Sequence, residues 1–277
     1  MTSPQMAGKT VLVTGATNGI GKVAARVLTQ QGARVVIVGR DPAKTERMAA
    51  EIGAARFVIA DLSVQAQVRQ AAKDVLDQEA QLDVLLNNAG MYLNQRQETP
   101  DGIEMTWALN HLGYFLLTQE LLPLIRATPQ ARIVNVSSAA HTMGRIRWDD
   151  PEFRLGYSGW AAYGQSKLAN ILFTRELSRR LAGSGITANA LHPGMVATGF
   201  AHNNGSRISR VFSLLRPFAK TEEQGAQTSI YLSSSPEVAG MSGLYFSNEQ
   251  PIKPAPQALD DAAAERLWRL SEEYVNR

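Results

Sequence analysis

Tyr163 and Lys167 stand four residues apart in Tyr163-Gly164-Gln165-Ser166-Lys167, a spacing that puts both side chains on one face of a helix. An ammonium beside a phenol favours the phenolate. A phenol tuned this way can hand a proton to a carbonyl oxygen or take one from an alcohol. Upstream lies a glycine-rich turn, Thr14-Gly15-Ala16-Thr17-Asn18-Gly19-Ile20-Gly21, which offers a place for a dinucleotide. Together the two motifs point to hydride transfer between a nicotinamide and an alcohol/carbonyl pair. Either alone is weak, because an exposed helix with a stray tyrosine gives the same spacing.

Such residues need a frame. Short β-branched runs alternate with longer helical patterns: Val11–Val13, Val35–Val38, Phe57–Ile59, Val84–Leu86, Ile133–Val136 and Thr187–Leu191 read as strands. Helices are expected near 19–31, 43–52, 64–79, up to 125, 160–181 and 258–274. Strand–helix alternation calls for a parallel sheet covered on both faces. With no internal linker or low-complexity tract, residues 1–277 read as one doubly wound α/β domain. Pro251 to Pro256 reads as a surface turn.

Within that frame Gly15 permits a tight turn, Gly19 lets a pyrophosphate approach the backbone and Gly21 lets the helix pack closely. The helix N-terminus then offers free N–H groups and its dipole to the anion. The second strand ends at Gly39, followed by Arg40, whose guanidinium suits a ribose 2′-phosphate. The expected cofactor is therefore NADP(H), with NAD(H) as the other possibility. Asp41 either pairs with Arg40 or caps the next helix ahead of Pro42. Lys22 is a further candidate charge near the phosphates. Asp61 either meets the adenine amino group or caps the helix after it.

Composition narrows the field. The chain has 277 residues, 44% of them apolar, and a net charge of +3. Its basic residues are scattered rather than striped, which argues against a nucleic-acid partner. No apolar run is long enough to span a bilayer, and Met1 to Gly8 has no signal-peptide core. With no cysteine, disulfides, thiolate catalysis and Cys-ligated metals are excluded. His111, His141, His192 and His202 lack metal-like spacing, so no metal is expected; solvent or a backbone hydrogen bond is the default expectation for each. Trp107 and Trp268 are expected in the core. A cytoplasmic protein is the expectation.

Thr14-Gly15 through Gly21, Asp61-Leu62, Asn87-Asn88-Ala89-Gly90, Asn110, Ser137-Ser138, Tyr163-x-x-x-Lys167 and Pro193-Gly194 resemble, in order, the motifs of the short-chain dehydrogenase/reductase family. Asn110-His111-Leu112-Gly113, Ser166 to Asn170, His192-Pro193-Gly194 and Ala264 to Trp268 look like its retinol dehydrogenase branch. The resemblance implies a Rossmann fold with strand order 3-2-1-4-5-6-7. It also implies the roles. Tyr163 would be the general acid/base, and Lys167 would lower its pKa and bind the nicotinamide ribose. Ser138 would hold the substrate oxygen, with Ser137 in support, and Asn110 would anchor a relay water. Gly15, Thr17, Asn18, Gly19, Ile20 and Gly21 would form the phosphate turn, and Asp61 and Leu62 would lie near adenine. Asn87, Ala89 and Gly90 would shape the ribose region. Pro193, Gly194 and Val196 would flank the nicotinamide, and Thr198 would reach its carboxamide or the pyrophosphate.

The substrate implied is a small lipophilic alcohol or carbonyl compound. The 141–160 insert carries Met143, Trp148, Phe153, Tyr157 and Trp160, which either line an apolar pocket or pack on their own small core. The N-terminal membrane anchor of several retinoid enzymes is missing, which favours a soluble enzyme. A homodimer through the helices that begin near Asn110 and Trp160 is possible, although the insert can disturb it. Residues 196–220 are the expected substrate lid. Ser206 to Ala219 within them reads three ways: an ordinary surface helix, a lid, or a membrane-touching basic face. Two other functions share the fold. A dinucleotide sensor without turnover is disfavoured by the presence of Tyr163 and Lys167. A light-dependent pigment reductase is disfavoured by the absence of cysteine and of a chlorin-binding feature.

Overall fold

The structure, a computed structural model, describes residues 5–195 and 220–277. Its centre is an eight-stranded sheet. In chain order the first half comprises β1 (Thr10–Thr14), α1 (Gly19–Gln30), β2 (Arg34–Gly39), α2 (Pro42–Ile52), β3 (Arg56–Ile59), α3 (Gln65–Gln78) and β4 (Val84–Asn87). A short α4 (Met105–Trp107) then runs through a π segment (Ala108–Leu112) into α5 (Gly113–Ala127). After these come β5 (Arg132–Val136), a 3₁₀ turn (Ala139–Met143), α6 (Gly159–Arg180), β6 (Thr187–Leu191), α7 (Glu222–Ser234), β7 (Tyr245–Ser247), β8 (Gln250–Ile252) and α8 (Asp261–Val275).

The strand order is β3-β2-β1-β4-β5-β6-β7-β8. It agrees with the sequence expectation and adds one strand. β8 pairs antiparallel with β7, so part of the expected turn at 251–256 is a strand. The turn between them places Asn248 and Glu249 at φ of 50° and 64°.

Alternation along the strands splits the core into two layers. Leu12, Val36, Val38, Leu85 and Ile133 face one layer with Phe115 and Leu117 of α5, Phe173 of α6 and Trp268 of α8. Val11, Val13, Ile37, Leu86 and Val136 face the other with Val23 and Leu28 of α1, Met48 of α2 and Leu232 of α7. β1, β4 and β6 are buried at every residue, as parallel strands covered on both sides must be. Trp107 and Trp268 are core residues, as expected.

The π segment runs into a close backbone approach. A side chain on Gly113 would sit 2.6 Å from the Leu62 carbonyl oxygen, so the helix passes the end of β3 at backbone contact. One extra residue per turn, common near functional sites, presents Asn110 at this point. α6 is buried along most of its length. That brings Tyr163, Ser166 and Lys167 inside the molecule, alongside the C-terminal end of β5.

Candidate active site

The glycine turn is an open cradle. Gly15 and Gly19 have φ of 66° and 58°, the region that favours glycine. A Cβ on Gly15 would lie 2.8 Å from Ala89 Cα, and one on Gly21 would lie 2.5 Å from the Gly15 carbonyl oxygen and strike Asn88. Asn18 precedes α1 without capping it, and the first turn holds no acid, so the helix N–H groups face outward for an anion. These residues fit a dinucleotide pyrophosphate.

Two residues that sequence reasoning missed close this cradle. Asn88 Nδ2 donates to the carbonyls of Thr14 (2.9 Å) and Gly15 (3.2 Å). Thr14 Oγ1 accepts from the N–H groups of Asn88 (2.8 Å) and Ala89 (3.0 Å). The Asn87-Asn88 doublet was the available signal. Asn87 itself points into the core, donating to Asn135 (2.9 Å) and Thr118 (3.1 Å). It can act on a ribose region only by placing its backbone.

At the end of β2, a Cβ on Gly39 would lie 2.7 Å from Thr17 Cγ2, so Thr17 and Arg40 share one corner. Asp41 caps α2, accepting from the Lys44 N–H at 2.8 Å. This resolves its two readings and leaves Arg40 exposed with no ion-pair partner among the described residues. Lys22 corrects another expectation: it pairs with Glu51 of α2 at 2.7 Å and is drawn away from a phosphate role. Asp61 Oδ1 accepts from the Ser63 N–H (2.9 Å) and hydroxyl (2.6 Å). The first N–H of α3 goes to Asp101 instead (2.8 Å), so Asp61 shapes the turn without capping the helix. Ile20 of α1 is partly buried and packs against the core, and Leu62 is buried.

Asn110, Ser138, Tyr163 and Lys167 converge. Lys167 Nζ donates to the Val136 carbonyl at 3.0 Å and lies 5.6 Å from the Tyr163 ring centre. A Cβ on Gly90 would lie 3.3 Å from Asn110 Oδ1 and 3.5 Å from Lys167 Nζ, so the loop after β4 passes over both. Asn110 Oδ1 accepts from the Met91 N–H (2.8 Å), and its Nδ2 donates to the Met91 carbonyl (2.9 Å) and Ser166 Oγ (3.1 Å). Both Nδ2 protons are thus committed to protein groups, and the side chain pins the loop more than it holds a water. Ser138 Oγ accepts from the Ala140 N–H at 3.2 Å and hydrogen-bonds the Tyr163 phenol. Ser137 donates to the Lys167 carbonyl at 2.7 Å, a structural bond that leaves Ser138 as the serine at the phenol.

The electrostatics differ from the sequence expectation. Burial pushes the Tyr163 phenol up to about 12, and the hydrogen bond with Ser138 only partly offsets this. Burial also pulls the Lys167 amine down to about 7. A low-dielectric site penalises both charged forms, and here that outweighs the pull of ammonium on phenol.

Tyr92, a third residue missed in the sequence, sets its ring edge-on to Tyr163 (6.0 Å, 81°) and 5.1 Å from Trp160. Of the insert aromatics only Trp160 joins this cluster. Trp148 packs beside α8 with Arg266 4.4 Å over its ring, and Phe153 is buried with Arg147 4.6 Å over its ring. Tyr157 donates to the Leu93 carbonyl at 3.2 Å, while Met143 is exposed. Apart from Phe153 with Arg147, the insert packs on the body of the protein and forms neither a separate core nor, Trp160 excepted, a pocket wall beside the phenol. A Cβ on Gly144 would strike the Gly164 carbonyl oxygen and lie 2.7 Å from its carbon. Gly144→Ala is therefore expected to cost about 1–3 kcal/mol of stability, measured by urea unfolding, because neither backbone can yield.

On the far side, Gly194 has φ 88°, and its N–H donates to His192 Nδ1 at 3.0 Å. Pro193 sits beside it, half-buried. Val196, Thr198 and the expected lid up to residue 219 lie outside the described residues. His111 departs from its default. It is fully buried against Ser271 Oγ (2.8 Å), and burial lowers it to about 3. Among the described residues no cluster of His, Asp and Glu can hold a metal, and no helix is long and apolar enough to cross a membrane.

A family model described as short chain dehydrogenase matches residues 9–208. The chain belongs to the short-chain dehydrogenase family. It is retinol dehydrogenase-like. It is 41% identical to "Retinol dehydrogenase 14" of Homo sapiens over 297 residues, covering 98% of this chain and 87% of that protein. Among solved structures it is similar to an uncharacterized protein from Mycobacterium Paratuberculosis, with 37% identity, a TM-score of 0.81, and 98% and 94% of the two chains covered. It is also similar to the "Pseudomonas aeruginosa RhlG/NADP active-site complex", with 30% identity, a TM-score of 0.71, and 89% and 97% covered. This family member is an oxidoreductase acting on CH–OH donors, with a nicotinamide dinucleotide as cofactor and a small molecule as substrate.

Proposed function

We propose that the chain moves a hydride between NADP(H) and a lipophilic alcohol, aldehyde or ketone. The observation that carries the reading is the Ser138 hydroxyl at the Tyr163 phenol with Lys167 Nζ 5.6 Å from that ring's centre, one loop away from the glycine cradle. Bound nicotinamide would supply or accept the hydride. Ser138 would hold the substrate oxygen with its hydroxyl, Tyr163 would give that oxygen a proton or remove one, and Lys167 would bind the nicotinamide ribose and supply positive charge. Asn110 would keep the Met91 loop and Ser166 in place around them. The rings of Tyr92 and Trp160 beside Tyr163 support an apolar substrate.

The guanidinium of Arg40, exposed and without an ion-pair partner among the described residues, supports NADP(H) over NAD(H). Arg40→Ala is expected to weaken NADPH binding by about 1.5–3 kcal/mol, the range for a hydrogen bond to a charged group, and to leave NADH nearly unchanged. Titration of both cofactors measures this, and equal losses would remove Arg40 from phosphate reading. The function itself is tested by a panel of aldehydes, ketones and alcohols assayed with NADPH and NADH.

We further take residues 1–277 as one dinucleotide-binding and catalytic unit, supported by the continuous sheet. Residues 196–220 belong to the proposal as the substrate lid, and hydrogen exchange with and without ligands tests that. A cytoplasmic location is part of it too, tested by cell fractionation. A homodimer is a further proposal. α8 covers much of α6 through Leu267, Trp268 and Tyr274, so a partner would have to meet another face.

A further inference from the structure

His141 lies outside the motifs that carry the proposed chemistry, yet it is buried within reach of them. Its Nε2 accepts from the Ala255 N–H at 3.1 Å, which assigns the ring proton to Nδ1. Nδ1 lies 2.8 Å from the Ser138 carbonyl oxygen and 3.3 Å from the Tyr245 hydroxyl. The Ser138 carbonyl therefore receives two bonds from one residue, the ring N–H and the His141 backbone N–H (3.1 Å). From the other side, Gln257 Nε2 donates to the carbonyls of His141 (3.2 Å), Thr142 (2.9 Å) and Gly144 (3.3 Å). The loop that presents Ser138 is thus held by the segment leading into α8. Tyr245 stands between His141 (4.9 Å) and His192 (6.0 Å), and His192 holds the Gly194 N–H.

We propose that His141 is a positioning residue: its Nδ1–H fixes the Ser138 carbonyl and so aims the Ser138 hydroxyl at the substrate oxygen and Tyr163. The inference rests on the functional reading above, in which Ser138 touches the substrate. Burial lowers the His141 pKa, with the bond to Ser138 acting in the opposite direction, so the neutral ring that this geometry requires is the favoured form.

Two substitutions separate the ring's two bonds. In H141N the amide nitrogen can take the place of Nδ1 and still donate to Ser138. In H141Q the amide reaches the Nε2 position and can satisfy Ala255, but the bond to Ser138 is lost. H141Q is expected to lower kcat about tenfold to a hundredfold, the scale of a misplaced reacting group, with cofactor affinity and KM little changed. H141N is expected to keep kcat within about threefold of wild type. In an S138A background H141Q should have no further effect on kcat, because the group it aims is already gone. Equal kcat for H141Q and H141N, or a full additional loss in S138A, would overturn the inference while leaving the functional reading standing. Retention of kcat by S138A itself would bring down the role of Ser138 and this inference with it. A third arm needs no turnover. Nitrogen-15 NMR of the intact protein should show His141 neutral and protonated on Nδ1, and protonation on Nε2 instead would overturn the assignment.

Discussion

Tyr163→Phe is expected to lower kcat for carbonyl reduction by about 100 to 10,000-fold, the range general acid catalysis supplies. Cofactor affinity should stay close to wild type. The substitution removes only the phenolic oxygen. The ring that packs against Tyr92 and Trp160 is kept, so folding should be little affected. Burial holds the phenol at about 12, which keeps it protonated and ready to donate across the working pH range. Steady-state rates and a cofactor titration on the same preparation measure both halves of the expectation. A variant keeping a third of wild-type activity would remove Tyr163 from the chemistry.

Lys167→Met is expected to damage rate and cofactor affinity together, because one amine is asked to serve both. A loss in rate of about 100-fold or more is anticipated, comparable to removing the acid itself. The pH dependence carries a sign that can be checked. Burial lowers the folded-state pKa of Lys167 to about 7 from an ordinary value of 10.5. Between these values the unfolded chain binds a proton that the folded chain does not, so this group makes stability rise as pH increases from about 7 to about 10.5. Wild type should therefore gain resistance to urea over that window relative to Lys167→Met. In the catalytic direction, kcat/KM for carbonyl reduction should fall as pH rises through about 7, because it reports ionisations of the free protein and the ammonium is being lost.

The sheet was legible because its central strands are continuous apolar runs that only burial on both faces explains. β7 and β8 were not located by the same reading. Each is three residues long, Pro251 lies in β8, and such short segments carry no period. The glycine cradle and the four residues at the phenol were legible as motifs, but their supports were not. Asn88 and Thr14 act through side-chain bonds to backbone across β1 and β4, and His141 acts across more than a hundred residues on Ala255. No local pattern encodes such distant pairings. The π segment at Asn110 runs into a close approach of Gly113 to Leu62, again a pairing far apart in sequence. Lys22 was misread because a helix surface offers a lysine several partners, and Glu51 of the neighbouring helix supplies the nearer charge. The electrostatics at Tyr163 were misread for another reason. A Tyr–Lys spacing shows proximity but not burial, and burial decides the direction of both pKa values.

The most direct test of the account uses NADPH carrying deuterium at the transferable C4 position. Wild-type protein is incubated with it and an apolar aldehyde, and the alcohol is analysed by mass spectrometry. The account predicts one deuterium on the carbinol carbon and a product yield that collapses in Tyr163→Phe. Alcohol without deuterium, or equal yields from wild type and Tyr163→Phe, would contradict it.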